Sequence, residues 1–140
     1  MGTSEIGLVG LGTMGAALAL NIAEKGFDIA VMNRTNSVTR DFVANAGDLA
    51  PRLTATEDLQ GLVDALATPR AVILMVPAGD VVDDHIERLR AIMDPDDLII
   101  DAGNANFRDT IRRAEAARDS GNPYLGIGVS GGEDGARHGP

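Results

Sequence analysis

The sequence predicts an α/β fold, a doubly wound and mostly parallel sheet. Three observations lead there. Short apolar runs alternate with helix-like segments along the chain. Those runs are apolar throughout, without the polar alternation of a half-wet sheet, which marks strands covered on both faces. The first run ends in a glycine-rich turn that opens directly into a helix. Right-handed crossovers between parallel strands then wind helices onto both faces of the sheet.

Each element has its own signal. Glu5–Gly10 (EIGLVG) reads as the first strand, and Met14–Lys25 as a helix stopped by Gly26. Asp28–Met32 reads as the second strand, followed by a helix from about Ser37 to Ala46 that Gly47 stops. Thr54 and Glu57 have capping-box spacing, which predicts a helix reaching about Ala67. Ala71–Val76 (AVILMV) is a continuous apolar run and the third strand. Asp80 is expected to cap a helix running to about Met93, before a fourth strand at Asp97–Asp101. Asn106 is expected to cap a helix from Phe107 to about Ser120, before a fifth strand at Tyr124–Val129. No repeat, linker or low-complexity tract divides residues 1–140, so they read as a single domain.

Composition excludes several functions. With Asp+Glu 21 against Lys+Arg 12, the net charge is −9. That speaks against nucleic acid and against anionic lipid as partners. With no cysteine, disulfides, thiolate metal sites and cysteine nucleophiles are absent, and a cytoplasmic location is expected. The two histidines, His85 and His138, are too few for a zinc-hydrolase centre, so no metal is expected. His85 sits mid-helix and is expected at the surface or in packing. The uncharged stretch Ile6–Ala23 imitates a membrane span or signal peptide. Gly7, Gly10, Gly12 and Gly15 interrupt it, and Glu5 stands where a signal carries positive charge.

In a doubly wound sheet, ligands bind beyond the carboxyl ends of the strands, so those ends hold the candidates. Gly10-Leu11-Gly12-Thr13-Met14-Gly15 is GxGxxG after the first strand. Gly10 permits the turn, Gly12 lets the backbone approach a pyrophosphate, and Gly15 lets helix and strand pack closely. This predicts a Rossmann-type dinucleotide-binding domain. No Gly-Lys-Ser/Thr follows, which excludes a Walker loop. After the second strand stand Asn33, Arg34 and Thr35, where NAD-binding folds usually place a carboxylate for the ribose. Arg34 offers a planar fork of donors to a 2′-phosphate, so NADP is expected over NAD. Small residues follow the third strand at Val76-Pro77-Ala78-Gly79, permitting close approach to a cofactor or simply a turn. Asn104 follows the fourth strand and suits a sugar hydroxyl, a nicotinamide amide or a helix cap. Ser130-Gly131-Gly132-Glu133 follows the fifth, either as an anion nest or as a flexible loop.

Together these strings resemble the N-terminal part of the 6-phosphogluconate dehydrogenase family over essentially all of the chain. GLVGLGTMGAALALNIAEKGFDIAVMNRT is similar both to that family and to the β-hydroxyacid dehydrogenases. IIDAGNANFRDTIRR and GVSGGEDGARHGP are similar to the former. The resemblance implies oxidative decarboxylation of 6-phosphogluconate with NADP, yielding ribulose 5-phosphate, in a homodimeric enzyme of the pentose phosphate pathway and gluconate utilisation. It implies that Gly10, Leu11, Gly12, Thr13, Met14 and Gly15 hold the pyrophosphate, with Met14 near the nicotinamide. Asn33, Arg34 and Thr35 would take the 2′-phosphate end. Val76, Pro77 and Ala78 would line the cofactor, with Asn104 and Glu133 also at the cofactor. Asn104, Ser130, Gly131 and Gly132 would contact the sugar acid. Gly12 stands where the family often has alanine, Pro77 replaces a common lysine, Ala105 a common serine, and Phe107 and His138 a common tyrosine. The family's catalytic lysine and glutamate lie in a helical domain beyond these residues, and the only lysine here, Lys25, is far from the strand tips. The chain alone is therefore expected to bind cofactor without turnover. A β-hydroxyacid dehydrogenase relative and a non-catalytic NADP-binding module are the alternatives.

Overall fold

The computed structural model describes residues 2–103, 107–120, 122–127 and 132–138. The chain runs β1 (Ile6–Val9), α1 (Thr13–Glu24), β2 (Ile29–Met32), α2 (Asn36–Ala44), a 3₁₀ segment (Gly47–Arg52) and β3 (Leu53–Ala55). It continues through α3 (Leu59–Asp64), β4 (Ala71–Leu74), α4 (Asp80–Arg90), β5 (Leu98–Asp101), α5 (Phe107–Ser120), β6 (Tyr124–Gly126) and α6 (Gly132–His138). The strands form one sheet in the order β3-β2-β1-β4-β5-β6, every pairing parallel.

Why the strands lack alternation is visible in β1. Leu8 and Val9 are both buried, but they point to opposite faces of the sheet. Val9 joins Leu62, Val72, Leu74, Val82, Ile86 and Leu89 in the layer under α3 and α4. Leu8 joins Ala19, Ala23, Ile29, Val31 and Ile73 in the layer under α1 and α2. Each fully buried Leu, Ile or Val contributes roughly 1.5–3 kcal/mol, so both layers are needed to hold the sheet. From β1 the chain winds outward through β2 to β3, then returns to pair β4 on the other side of β1, with Leu8 opposite Ile73. That reversal places a crevice between the ends of β1 and β4.

The sequence predicts five strands, and the described residues form six. Leu53–Ala55 pairs with β2, Leu53 facing Ile29. It is three residues long, too short to announce itself by pattern. Thr54 therefore belongs to a strand and opens no helix. The cap is Asp58, whose Oδ1 accepts the Gly61 N–H at 2.7 Å. That helix also stops before Ala67. Ser4 N–H donates to the Ala65 carbonyl at 3.0 Å, and Ala67 N–H donates to the Ser4 carbonyl at 2.8 Å, drawing this segment against the residues before β1.

Other ends shift by a few residues. Gly79, with φ of 99°, is the N-cap of α4, and Asp80 is its first helical residue. The expected Asn106 cap lies outside the described residues. The glycine-rich tail, readable as a loop, contains α6, which packs on α1 through an Arg137–Glu24 ion pair of 2.6 Å.

Candidate functional site

The glycine turn is built by contact distances. Gly10 has φ of 103°, and a Cβ there would stand 2.4 Å from the Met75 carbonyl oxygen. A Cβ on Gly15 would stand 1.8 Å from the Gly10 carbonyl oxygen, so α1 rests directly on the end of β1. Around Gly12 the reverse holds: a Cβ would meet nothing within 4 Å. Gly12 faces open space at the N-cap of α1, where no side chain caps the helix and no acidic residue sits in the first turn. The free N–H groups and the positive end of the helix dipole are thus left for an anion.

Asn33 braces this turn. Its Oδ1 accepts the Leu11 N–H at 2.9 Å, and its own N–H donates to Thr39 Oγ1 at 2.9 Å. The end of β2 therefore fixes the loop after β1. Leu11 turns its side chain into the layer under α1 and α2, where it is buried. Arg34 is exposed and makes no ion pair or hydrogen bond among the described residues. Thr35 is the N-cap of α2, but its hydroxyl caps nothing.

These elements enclose a cavity of about 610 Å³, in the range of small-molecule and cofactor pockets. Of the sequence-predicted residues, Gly10, Gly12, Thr13, Met14 and Gly15 line it, with Asn33, Arg34 and Thr35 and with Val76, Pro77 and Ala78. Leu11 contributes its backbone to the turn and does not line the cavity. Gly132 and Glu133 lie on exposed positions of α6, which packs on α1, and neither is in the lining. Asn104, Ser130 and Gly131 lie outside the described residues. Sequence reasoning missed Val9, Met75, Val81, His85 and Gly103, which also line the cavity. Val81 and His85 carried a readable signal, since they stand four residues apart on one face of the helix expected after Pro77-Ala78. Among the described lining residues there is no carboxylate; Arg34 and His85 are the ionisable side chains.

Beside the cavity a buried polar cluster ties two strand-end loops together. Asp101 ends β5 and is 2% exposed. Its Oδ1 accepts the Gly103 N–H at 3.1 Å, and its Oδ2 accepts the Tyr124 hydroxyl at 3.1 Å. Arg113, equally buried, donates from Nε to Asp83 Oδ1 at 2.8 Å and from Nη2 to the Gly79 carbonyl at 3.1 Å. Its Nη1 lies 3.5 Å from Asp101 Oδ2, an ion pair without a formed hydrogen bond. One guanidinium thus spans α4, the loop after β4 and the end of β5. Hydrogen bonding to Arg113, reinforced by Arg112, holds the Asp83 carboxyl at about 2. Burial, with the Asp101 charge beside it, pushes the Tyr124 phenol up to about 12.

A parallel sheet with its strand order reversing at β1, a glycine turn at that point and a carboxylate-free cavity above it define a dinucleotide-binding domain. Comparison with known proteins narrows this. The family described as the NAD binding domain of 6-phosphogluconate dehydrogenase matches residues 5–140, and the chain belongs to that family. Trypanosoma brucei brucei 6-phosphogluconate dehydrogenase, decarboxylating, is 46% identical over 138 residues, covering 97% of this chain and 29% of the relative. The chain thus spans under a third of the curated relatives it matches. A Plasmodium falciparum 6-phosphogluconate dehydrogenase, solved apo, with its cofactor NADP+ and with its substrate 6-phosphogluconate, superimposes with a TM-score of 0.88. It is 39% identical over 95% of this chain and 28% of its own. A Mycobacterium tuberculosis 3-hydroxyisobutyrate dehydrogenase shares the fold at a TM-score of 0.80 and 25% identity, covering 96% of this chain and 43% of its own.

Proposed function

We propose that this chain binds NADP and is the cofactor-binding part of a decarboxylating 6-phosphogluconate dehydrogenase. The observation that carries the reading is the cavity itself. In a protein of net charge −9, it joins the open side of the glycine turn to an exposed Arg34 that has no partner among the described residues, and it holds no carboxylate among its described lining. The N–H groups opening α1 would take the pyrophosphate, and Arg34 the 2′-phosphate. The cofactor supplies the hydride acceptor for oxidation of the sugar acid.

The residues of this chain bind and orient, and they offer no lysine for proton transfer. Lys25, its only lysine, is the C-cap of α1, at the opposite end of that helix from the glycine turn. A base that removes the hydroxyl proton must be within hydrogen-bond reach of it. The 140 residues are therefore read as binding without turnover, within an enzyme that works as a cytoplasmic homodimer. Detectable ribulose 5-phosphate from this chain alone would refute the first point, and sedimentation of the full-length protein checks the dimer.

The test of cofactor choice is calorimetric titration with NADP and with NAD at low salt. NADP is expected to bind more tightly, and Arg34→Ala to weaken NADP by roughly tenfold or more while leaving NAD nearly unchanged. Equal binding of both cofactors by the wild type would overturn the assignment of Arg34.

A further inference from the structure

His85 has a hydrogen-bonding arrangement that the cofactor reading does not use. Its Nδ1 lies 2.7 Å from the carbonyl oxygen of Val81, one helical turn earlier. A carbonyl only accepts, so Nδ1 carries the hydrogen. That fixes the ring's tautomer and leaves Nε2 as the free nitrogen, an acceptor when the ring is neutral and a donor when it is charged. Nε2 has no hydrogen-bond partner among the described residues. The ring is half-buried and lines the same cavity as Arg34 and the glycine turn.

The charged groups around the ring sit on α4, on α5 and on the loop after β2. On α4 itself Asp80, Asp84, Glu87 and Arg88 are exposed, and Asp84 pairs with Arg88 at 3.7 Å. Asp83 is engaged by Arg112 and Arg113 of α5. The loop after β2 brings Arg34, and α1 with its glycine turn brings no charged side chain to the lining. A charged imidazole in the cavity would thus find no carboxylate on the lining to consume it. An anionic ligand would supply the missing partner.

We propose that His85 is a protonation-dependent phosphate contact of the cofactor site, its charged ring donating from Nε2 to a phosphate oxygen of the bound dinucleotide. This rests on the NADP reading and deepens it. Cofactor affinity then rises as pH falls through the range in which imidazoles protonate, because the bound state takes up a proton. The 2′-phosphate of NADP also gains protons near that range and works the other way. The informative quantity is therefore the difference between the wild type and a variant that cannot titrate.

The experiment titrates NADP and NAD into this chain, wild type and His85→Gln, at about pH 8 and about pH 6, in buffers of differing ionisation enthalpy. On lowering the pH, wild type is expected to gain roughly three- to tenfold in NADP affinity relative to His85→Gln, the size of one charge-assisted hydrogen bond at a half-exposed site. Wild type is also expected to take up a proton on binding that His85→Gln does not. A difference confined to NADP assigns the contact to the 2′-phosphate; one shared with NAD assigns it to the pyrophosphate. Parallel pH dependence in the two proteins, with both cofactors and equal proton uptake, overturns the proposal while leaving NADP binding intact. No NADP binding by the folded wild type at either pH overturns both.

Discussion

The glycine turn makes a paired prediction in which one substitution is severe and its near neighbour mild. In Gly15→Ala the new Cβ would lie 1.8 Å from the Gly10 carbonyl oxygen. Ordinary contact needs more than 3 Å, so α1 and the end of β1 must separate by over an ångström. The obstacle is backbone, which has no rotamer to change. Overpacking of this kind costs about 1–3 kcal/mol, and the displaced N–H groups are those that open α1 beside the cavity. In Gly12→Ala the Cβ meets nothing within 4 Å. N-cap preference is lost, but at a φ of −68° alanine fits the backbone and narrows the unfolded ensemble, so the net change is a few tenths of a kcal/mol. For a domain of this size, thermal unfolding should show Gly15→Ala lowered by roughly 3–12 °C and Gly12→Ala shifted by about 2 °C or less. Calorimetric titration should show NADP binding abolished in the first. A Gly15→Ala protein with wild-type Tm and wild-type affinity would refute the argument that helix and strand meet at this glycine.

The buried cluster gives three further tests. Arg113→Met leaves Asp101 buried beside Tyr124 without a cation and should cost about 3 kcal/mol in denaturant unfolding. Asp83 has its carboxyl lowered to about 2 in the folded state. Its contribution is therefore present above the unfolded carboxylate range and lost as pH falls toward about 2; screening at a 35% exposed side chain reduces it to about 1 kcal/mol. Asp83→Asn should lack that portion of the acid destabilisation in a Tm series between about pH 5 and about pH 2. Tyr124 is the only tyrosine and the chain has no tryptophan, so absorbance reads its ionisation directly. Burial raises its folded value to about 12, so the folded protein should titrate late, and stability should fall as pH rises above about 10.

Much of the fold was legible because its signals are local and physical. The continuous apolar runs at Leu8–Val9 and Val72–Leu74 announced strands buried on both faces, and the two packing layers show why. What escaped was set by tertiary partners. Leu53–Ala55 is a strand only because β2 offers it an edge, and α3 ends early only because Ser4 takes the Ala65 carbonyl. Helix α6 was hidden by glycines, since composition cannot show that α1 supplies the surface on which it packs. At the site, the turn at Gly10 and the close packing at Gly15 were legible, and Gly12 does face open space. Asn33 was legible in position, and it lines the cavity as expected of a site residue. Its structural part was not legible: its carbonyl oxygen also holds the Leu11 N–H across 22 residues of sequence.

That bond changes how the two strand ends relate. An aspartate at position 33 would also accept from Leu11, so acceptor geometry alone does not require asparagine there. Charge does: a carboxylate beside the exposed Arg34 would pair with it and oppose a 2′-phosphate in the same cavity. The amide keeps the brace and leaves Arg34 without a partner among the described residues. The same logic runs through the acidic remainder of the chain. Asp83 and Asp101 are engaged by Arg113, Asp97 by Arg70, and Glu24 by Arg137. Those pairs keep several carboxylates engaged close to the sheet while none stands on the described cavity lining. The long-range field of a protein of charge −9 still slows the approach of an anion, and salt weakens that repulsion. Added salt should therefore raise the association rate of NADP and, by screening Arg34, also raise its dissociation rate; stopped-flow mixing separates the two. A fall in association rate with salt would mean that the local cation field at the cavity outweighs the charge of the whole protein.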